Sequence, residues 1–277
     1  MFDLLVIAPH PDDAEIFCGG MIALTKKLGK KVAIVDLVEG ELASRGSVQK
    51  RRQETKRANS ILDVDYRINL RIPDGFINQQ FVDQAQGETI LPQKIDQEIM
   101  LVHEIRELKP KLILAPYFHD RHPDHYESAQ LIKRAIFMSS MTNYEGSINK
   151  IYGNSLGKGV KLPAPHQHLQ TLLYPFRNEV EPTFIVDISK VFDKKMKAIK
   201  AYSSQVGLES KKGDPKTLIS SALGLKSFEA RDRYFGSKIG VEYGEPYVST
   251  SYLKMTDPFS YFERNVVEGG LFFPNIF

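Results

Sequence analysis

The 277-residue chain reads as an α/β fold in one domain, a mostly parallel sheet with helices on both faces. Three observations predict it. Short apolar runs of strand length alternate with longer stretches of helical periodicity, and that alternation implies right-handed βαβ crossovers. Two of those runs end Ala-Pro, and each leads through His-Pro-Asp to the mouth of a helix, at residues 8–12 and 115–124. The composition, 42% hydrophobic and 26% charged, is that of an ordinary globular chain long enough to bury a full core.

Taken in order, Leu4 to Ala8 is a short buried strand, and the residues from Ala14 onward (Ile16, Met21, Ile22, Leu24, Leu28) form a helix. Lys31 to Val38 is a second strand, followed by a loop with Glu39, Gly40, Glu41 and Gly46 and a polar helix from Val48 to Leu62. Tyr66 to Leu70 is extended, and Pro73-Asp74-Gly75 is a turn. The polar segment 82–93 carries Gly and Pro and reads as a loop. Lys94 to Leu108 restores the helical period, Lys111 to Pro116 is the next strand, and a helix carrying Ala129, Leu131, Ile132, Ala135 and Ile136 follows.

Asn143 to Gln170 is rich in Gly, Asn, Lys and Pro and is expected to be a long loop or flap, with His166 and His168 as loop residues. Leu169 to Tyr174 and Thr183 to Ile188 are two further strands, and an amphipathic helix covers Lys190 to Ser203. Within it, Asp193-Lys194-Lys195-Met196-Lys197 reads as a solvated face. Leu218 to Phe235 has the spacing of a docked surface helix, and from Tyr247 the pattern dissolves. The order matches a Rossmann-like sheet. No Gly-x-Gly-x-x-Gly follows the first strand, however, and its turn is acidic, which disfavours a dinucleotide's pyrophosphate.

A net charge of +3 without a basic stripe argues against nucleic acid as a partner. The single cysteine, Cys18, excludes an intrachain disulfide and any cysteine-rich metal site, so a bound metal must take His and carboxylate ligands. The N-terminus lacks a basic leader, and no apolar run approaches the ~20 residues of a membrane span. The expectation is a soluble, cytoplasmic protein without a membrane partner.

The chemistry concentrates in His10-Pro11-Asp12-Asp13 and His119-Asp120-Arg121-His122-Pro123-Asp124-His125, both placed after strands where an open α/β sheet receives its ligands. Pro11 could instead simply set a turn with Asp12 or Asp13 as helix cap, and the second cluster could be a solvated turn; two complementary clusters at strand ends weigh against both. A hydrolytic zinc site needs about three protein ligands and one open position, which His10, Asp13 and His125 can supply. Asp12 is held on the same turn and can serve as general base, while His122 can protonate a leaving amine. Asp124 is expected to hydrogen-bond His122, fixing its tautomer and raising its pKa.

These residues, with Gly19-Gly20, Glu39-Gly40-Glu41, Arg51-Arg52-Gln53-Glu54, Leu70 to Gly75 and Ala201 to Gln205, resemble the LmbE-like (PIG-L) family of zinc-dependent N-deacetylases. The resemblance covers most of residues 2–245, taken as the core of a single domain spanning 1–277, with 246–277 as an apolar C-terminal tail. It is nearest the bacillithiol-pathway branch, which deacetylates N-acetylglucosaminyl malate. It implies His10, Asp13 and His125 as ligands of zinc, with Fe²⁺ as the other metal, Asp12 as base and His122 as acid. It also implies Arg51 and Arg121 as substrate-binding residues, Tyr202 as an oxyanion donor, an acetylated amino-sugar substrate and a homo-oligomer. Arg51 could alternatively be an exposed residue pairing along its helix. The rival substrates are a glycolipid head group, a chitin disaccharide or an antibiotic precursor; the rival classes are a metal-dependent phosphoesterase and a non-catalytic binding module. Phe17 departs from the family, standing where relatives often carry glycine, and the segments 82–93, 143–170 and the tail are longer than usual.

Overall fold

The computed structural model describes residues 1–79, 94–152, 159–176, 180–209, 214–217, 219–221, 223–257 and 259. The expected loop at 82–93 and the apolar end of the tail lie outside them. In chain order the elements are β1 (Leu4–Ala8), α1 (Asp13–Lys27), β2 (Val32–Val38), α2 (Val48–Leu62), β3 (Tyr66–Ile72), α3 (Lys94–Leu108) and β4 (Leu112–Pro116). There follow α4 (Pro123–Ser140), α5 (Tyr144–Tyr152), β5 (Gln170–Tyr174), β6 (Phe184–Asp187), α6 (Phe192–Lys200), α7 (Gly224–Lys238) and β7 (Gly244–Ser249).

The seven strands form one sheet in the order β3-β2-β1-β4-β5-β7-β6. All pairings from β3 to β5 are parallel, and β7 runs antiparallel to both β5 and β6. Every residue of β1 is buried because helices cover both faces, which is why it reads as an unbroken apolar run. Leu4, Val6 and Ala8 pack toward α1, α2 and α6, whereas Leu5 and Ile7 face α3, α4 and α5. Burying such an aliphatic side chain stabilises by about 1.5–3 kcal/mol, so two well-filled layers hold the sheet from both sides. The chain winds from β1 to β2 and β3 on one side and to β4 and β5 on the other. That reversal opens a crevice at the carboxyl ends of β1 and β4, where such folds bind ligands. Among the described residues no helix is long and apolar enough to cross a membrane.

Three expectations are corrected. The 143–170 segment begins with a helix, α5: Tyr144 and Ile148, one turn apart, are buried in the core, and this outweighs the segment's Gly and Asn content. The 245/246 boundary falls inside β7, where Pro246 pairs with Ile185 and Glu245 with Val186, so the last strand runs on to Ser249, two residues past Tyr247. The Lys194-Lys195 run is not a solvated face throughout, since Lys195 is fully buried and its ammonium bonds Asp232 Oδ2 at 2.6 Å and Glu245 Oε1 at 2.8 Å.

Candidate active site

The turn after β1 sets the site. Asp12 occupies the N-cap position of α1 with φ 115° and ψ −29°, a region costly to residues with a side chain. Its carbonyl accepts the Ile16 N–H at 2.9 Å, but its carboxylate makes no capping bond. Instead Asp12 Oδ2 accepts from Arg51 Nη2 at 2.8 Å, and the same Nη2 donates to Gln205 Oε1 at 3.3 Å. Arg51 is therefore buried rather than an exposed helix residue. Gly40, at φ 76°, approaches the guanidinium so closely that a Cβ there would lie 1.8 Å from Nη1. Only glycine fits.

Asp13 is the meeting point of the two motifs. Its Oδ2 lies 3.3 Å from His10 Nδ1 and 3.4 Å from His125 Nε2, and accepts the His10 N–H at 3.0 Å. The ligand atoms of His10, Asp13 and His125 fall within 4.8 Å of one another, and His10, His122 and Asp124 form a second group of the same size. The other nitrogen of His10, Nε2, is 3.2 Å from Asp74 Oδ1 and 3.3 Å from Asp124 Oδ2. His10 is thus fixed from behind by carboxylates, as metal-bound imidazoles are.

Asp124 does not orient His122 through its carboxylate. That group faces His10 and accepts the Gly75 N–H at 3.0 Å. His122 sits instead at the N-cap of α4, its Nδ1 accepting the Asp124 backbone N–H at 3.3 Å. Since an N–H must donate, the neutral imidazole carries its proton on Nε2.

The charges shift the site's titrations. Burial opposes a charge on His10, but hydrogen bonds to Asp124, Asp13 and Asp74 outweigh it and raise its pKa well above the ordinary 6.5. Burial would raise Asp13, yet the attraction of His125 and bonds from His10 and His125 hold it well below the usual carboxylate range. Burial pushes Asp12 up to about 6 against the pull of Arg51. For His122, burial and then the charges of His125 and His10 lower the pKa, contrary to the expected rise. Asp13, Asp74 and Asp124 stand around His10 and favour its protonated form, while Arg51 answers at Asp12. A divalent cation balances the same carboxylates without that proton, and the donor set of imidazole and carboxylate suits one.

These residues line a cleft of about 790 Å³. Arg121 lies exposed at its rim and makes no ion pair with a described residue. Tyr202 does not line it: it is fully buried, and its hydroxyl bonds Glu15 Oε1 and Thr55 Oγ1, both at 3.2 Å. His166 and His168 are engaged elsewhere, with Pro110 O and Thr171 Oγ1. Sequence reasoning missed Asp74, taken as a turn residue, and Phe176, whose ring stacks on His125 at 3.8 Å. It also missed Arg231 of α7, which reaches the cleft wall from what had the pattern of a docked surface helix.

Residues 5–136 match the profile of the PIG-L family, described as GlcNAc-PI de-N-acetylase. A solved structure, the conserved protein TT1542 from Thermus thermophilus, is 32% identical with a TM-score of 0.72, covering 92% of this chain and 98% of its own. The chain belongs to the PIG-L family. A diacetylchitobiose deacetylase of Thermococcus kodakarensis is 27% identical over 212 residues, 73% of this chain and 69% of the relative. A probable N-acetyl-alpha-D-glucosaminyl L-malate deacetylase 2 of Bacillus subtilis is 26% identical over 215 residues, 73% of this chain and 82% of the relative. The PIG-L profile ends inside α4, so it takes in both His-Pro-Asp motifs and the strands that carry them, while α6, α7 and β7 lie beyond it.

Proposed function

We propose that the protein is a metal-dependent N-deacetylase that removes the acetyl group from an N-acetylglucosamine-containing small molecule, with N-acetylglucosaminyl malate as first candidate. The observation that carries this reading is the convergence of His10 Nδ1 and His125 Nε2 on Asp13 Oδ2, with the Asp12 carboxylate on the adjacent residue. His10, Asp13 and His125 would hold the ion, zinc first and Fe²⁺ second, and Asp74 and Asp124 would orient His10. When bound, such an ion supplies Lewis-acid polarisation and a more acidic water. Asp12, steadied by Arg51, takes the proton of the attacking water. The proton that Asp12 takes from water is the one the departing amine needs. His122 at the rim, neutral and with its pKa lowered, relays it, accepting that proton and passing it to the amine nitrogen as the C–N bond breaks, so that the free amine and acetate leave and both residues return to their starting state.

Arg51 already has Asp12 and Gln205 as partners, so any hold on the substrate is shared with the base. Arg121 is the arginine better placed to meet an anionic group such as malate. The names of the Bacillus and Thermococcus relatives support an acetylated amino sugar and leave malyl and chitobiosyl forms as the two leading choices. The test is acetate release by metal-free protein reloaded with Zn²⁺ or Fe²⁺, using N-acetylglucosaminyl malate, N,N'-diacetylchitobiose and N-acetylglucosamine. Metal-dependent release, fastest with the malyl substrate, is expected. A metal-loaded protein that hydrolyses none of the three overturns the reading.

A further inference from the structure

His125 lacks the support that His10 enjoys. Its outer nitrogen, Nδ1, lies 3.5 Å from Asp120 Oδ1, beyond the 2.7–3.2 Å of a good N–H···O bond, and that oxygen already accepts the His122 N–H at 2.7 Å. Beside that long ion-pair contact, an apolar stack holds the plane of the ring. The Phe176 ring lies on the imidazole with centroids 3.8 Å apart and planes inclined by 17°. Phe176 is itself propped: Phe17 meets it edge-on at 4.7 Å and 80°, and Phe17 lies parallel to Tyr174 at 6.2 Å. Tyr174 is tied to β1 by its hydroxyl on Ile7 O at 2.8 Å. Arg231 completes the brace, its guanidinium 5.4 Å from the Phe17 ring centre while Nη2 donates at 2.8 Å to the carbonyl of Pro175, the residue before Phe176.

We propose that Phe176 is a positioning residue for the metal site, setting the plane of the His125 imidazole by stacking where other ligands rely on a hydrogen bond, with Phe17 and Arg231 as its backing. The proposal rests on the metal reading of His10, Asp13 and His125 given above. Metal-bound imidazoles need a fixed ring orientation, and losing the group that fixes it typically weakens metal binding 10–100-fold. A flat partner offset by 3.8 Å restrains the two tilts of the ring, whereas an aliphatic side chain of similar volume fills the space without doing so. It also explains a large aromatic at position 17: its ring is the prop against which Phe176 leans.

The test is titration of the metal-free full chain with Co²⁺, read by its visible absorption, and with Zn²⁺ against a competing chelator, for the parent, Phe176→Leu, Phe176→Tyr and Phe17→Leu. Phe176→Leu is expected to weaken both metals by at least about tenfold and to alter the Co²⁺ spectrum, while Phe176→Tyr stays close to the parent. Phe17→Leu moves the same way by a smaller factor, and serves if Phe176→Leu proves unfolded by thermal melting. Parent-like affinity in a folded Phe176→Leu, or equal losses in the Leu and Tyr variants, overturns the stacking role alone. A parent chain that takes up neither metal overturns the proposed function as well, which separates the two failures.

Discussion

Helix α1 meets two buried charged clusters, and they are built by opposite rules. Two turns into the helix, Gly19 and Gly20 bring it against Lys195 and Ile188 so closely that Cβ atoms there would lie 2.9 and 2.5 Å from side-chain carbons. Here Lys195 and Arg231 face Asp232 and Glu245, two cations to two carboxylates, and Glu245 also accepts the N–H groups of Gly20 and Met21 and the Tyr247 hydroxyl. That cluster is closed and balanced. At the N-terminus of the same helix, five carboxylates (Asp12, Asp13, Asp74, Asp120 and Asp124) crowd three imidazoles, with Arg51 paired to Asp12, in an open cleft. Balance within the protein marks the first as a clamp between α1, α6, α7 and β7; imbalance marks the second as a place that an outside cation completes.

The largest effect expected on this contrast is at the ligands. His10→Ala, Asp13→Ala and His125→Ala should each abolish tight metal binding, because three ligands leave none spare, whereas Lys195→Met should leave the metal content of the folded fraction unchanged. Elemental analysis decides it, and full metal in any of the three removes that residue from the site. Next comes Asp12→Asn, which should keep the metal and lose roughly 10²–10⁴-fold in turnover, the size of a general-base contribution. Normal turnover there would sink the mechanism.

Lys195→Met tests the clamp. It strands Asp232 and Glu245 without their lysine, and breaking a buried pair in this way costs about 3–5 kcal/mol. For a chain of this size that lowers Tm by roughly 10 °C on calorimetry, at about 2–4 °C per kcal/mol. A near-native Tm would mean that the glycine-lined contact alone holds the two helices.

The pH dependence of stability separates the clusters without any substitution. In metal-free protein the folded-state pKa of His10 is raised, so the stability it adds is whole below 6.5 and is lost as pH rises through the folded value. Lys195 is also raised, but from 10.5, so its cluster stays constant across neutrality and yields only in strong alkali. Melting temperatures of chelator-treated protein should therefore fall from about pH 7 upward, and saturating Zn²⁺ should flatten that fall. A slope unchanged by metal would place its origin outside the site.

The smallest effects concern the arginines. Arg51→Ala should lower kcat and raise KM together, since the residue pairs with Asp12, the proposed base. Arg121→Ala should raise KM for the malyl substrate by up to about tenfold, the scale of ~1.4 kcal/mol, and scarcely alter N-acetylglucosamine. Steady-state kinetics on both substrates checks the split.

The sequence made the open cluster legible and the closed one invisible, for a physical reason. His10, Asp12 and Asp13 lie on one turn, and His122 to His125 on another, so their chemistry is written in adjacent letters. The strands leading to them are buried on both faces and read as plain apolar runs. Lys195, Asp232 and Glu245 acquire meaning only when α6, α7 and β7 close on α1; Glu245 bonds the N–H of a glycine 225 residues away. A lysine in a basic run and a Gly-Glu-Pro segment carry the local signals of solvent and loop, and long-range pairing overrode both. Asp74 was hidden in the same way, its turn chemistry being sufficient to explain it until His10 was brought alongside. The motifs 51–54 and 201–205, by contrast, were visible but unexplained, and the fold shows why they belong together: Glu54 accepts from Ser203 and Ser204 while Arg51 donates to Gln205.

The left-handed backbone at Asp12 bears on how such a protein could change over generations. A side chain at φ 115° costs of order 1–3 kcal/mol, which glycine would relieve, so taken alone the loss of the base is favourable to folding. Arg51 reverses that slope. With Asp12 gone, a buried guanidinium loses its counter-charge, a cost of about 3–5 kcal/mol that exceeds the relief. A descendant that abandoned catalysis while keeping the fold would have to lose both residues, and either single step leads downhill in fitness before the second brings recovery. The Asp12–Arg51 ion pair thereby also makes loss of the proposed base by drift a two-mutation event.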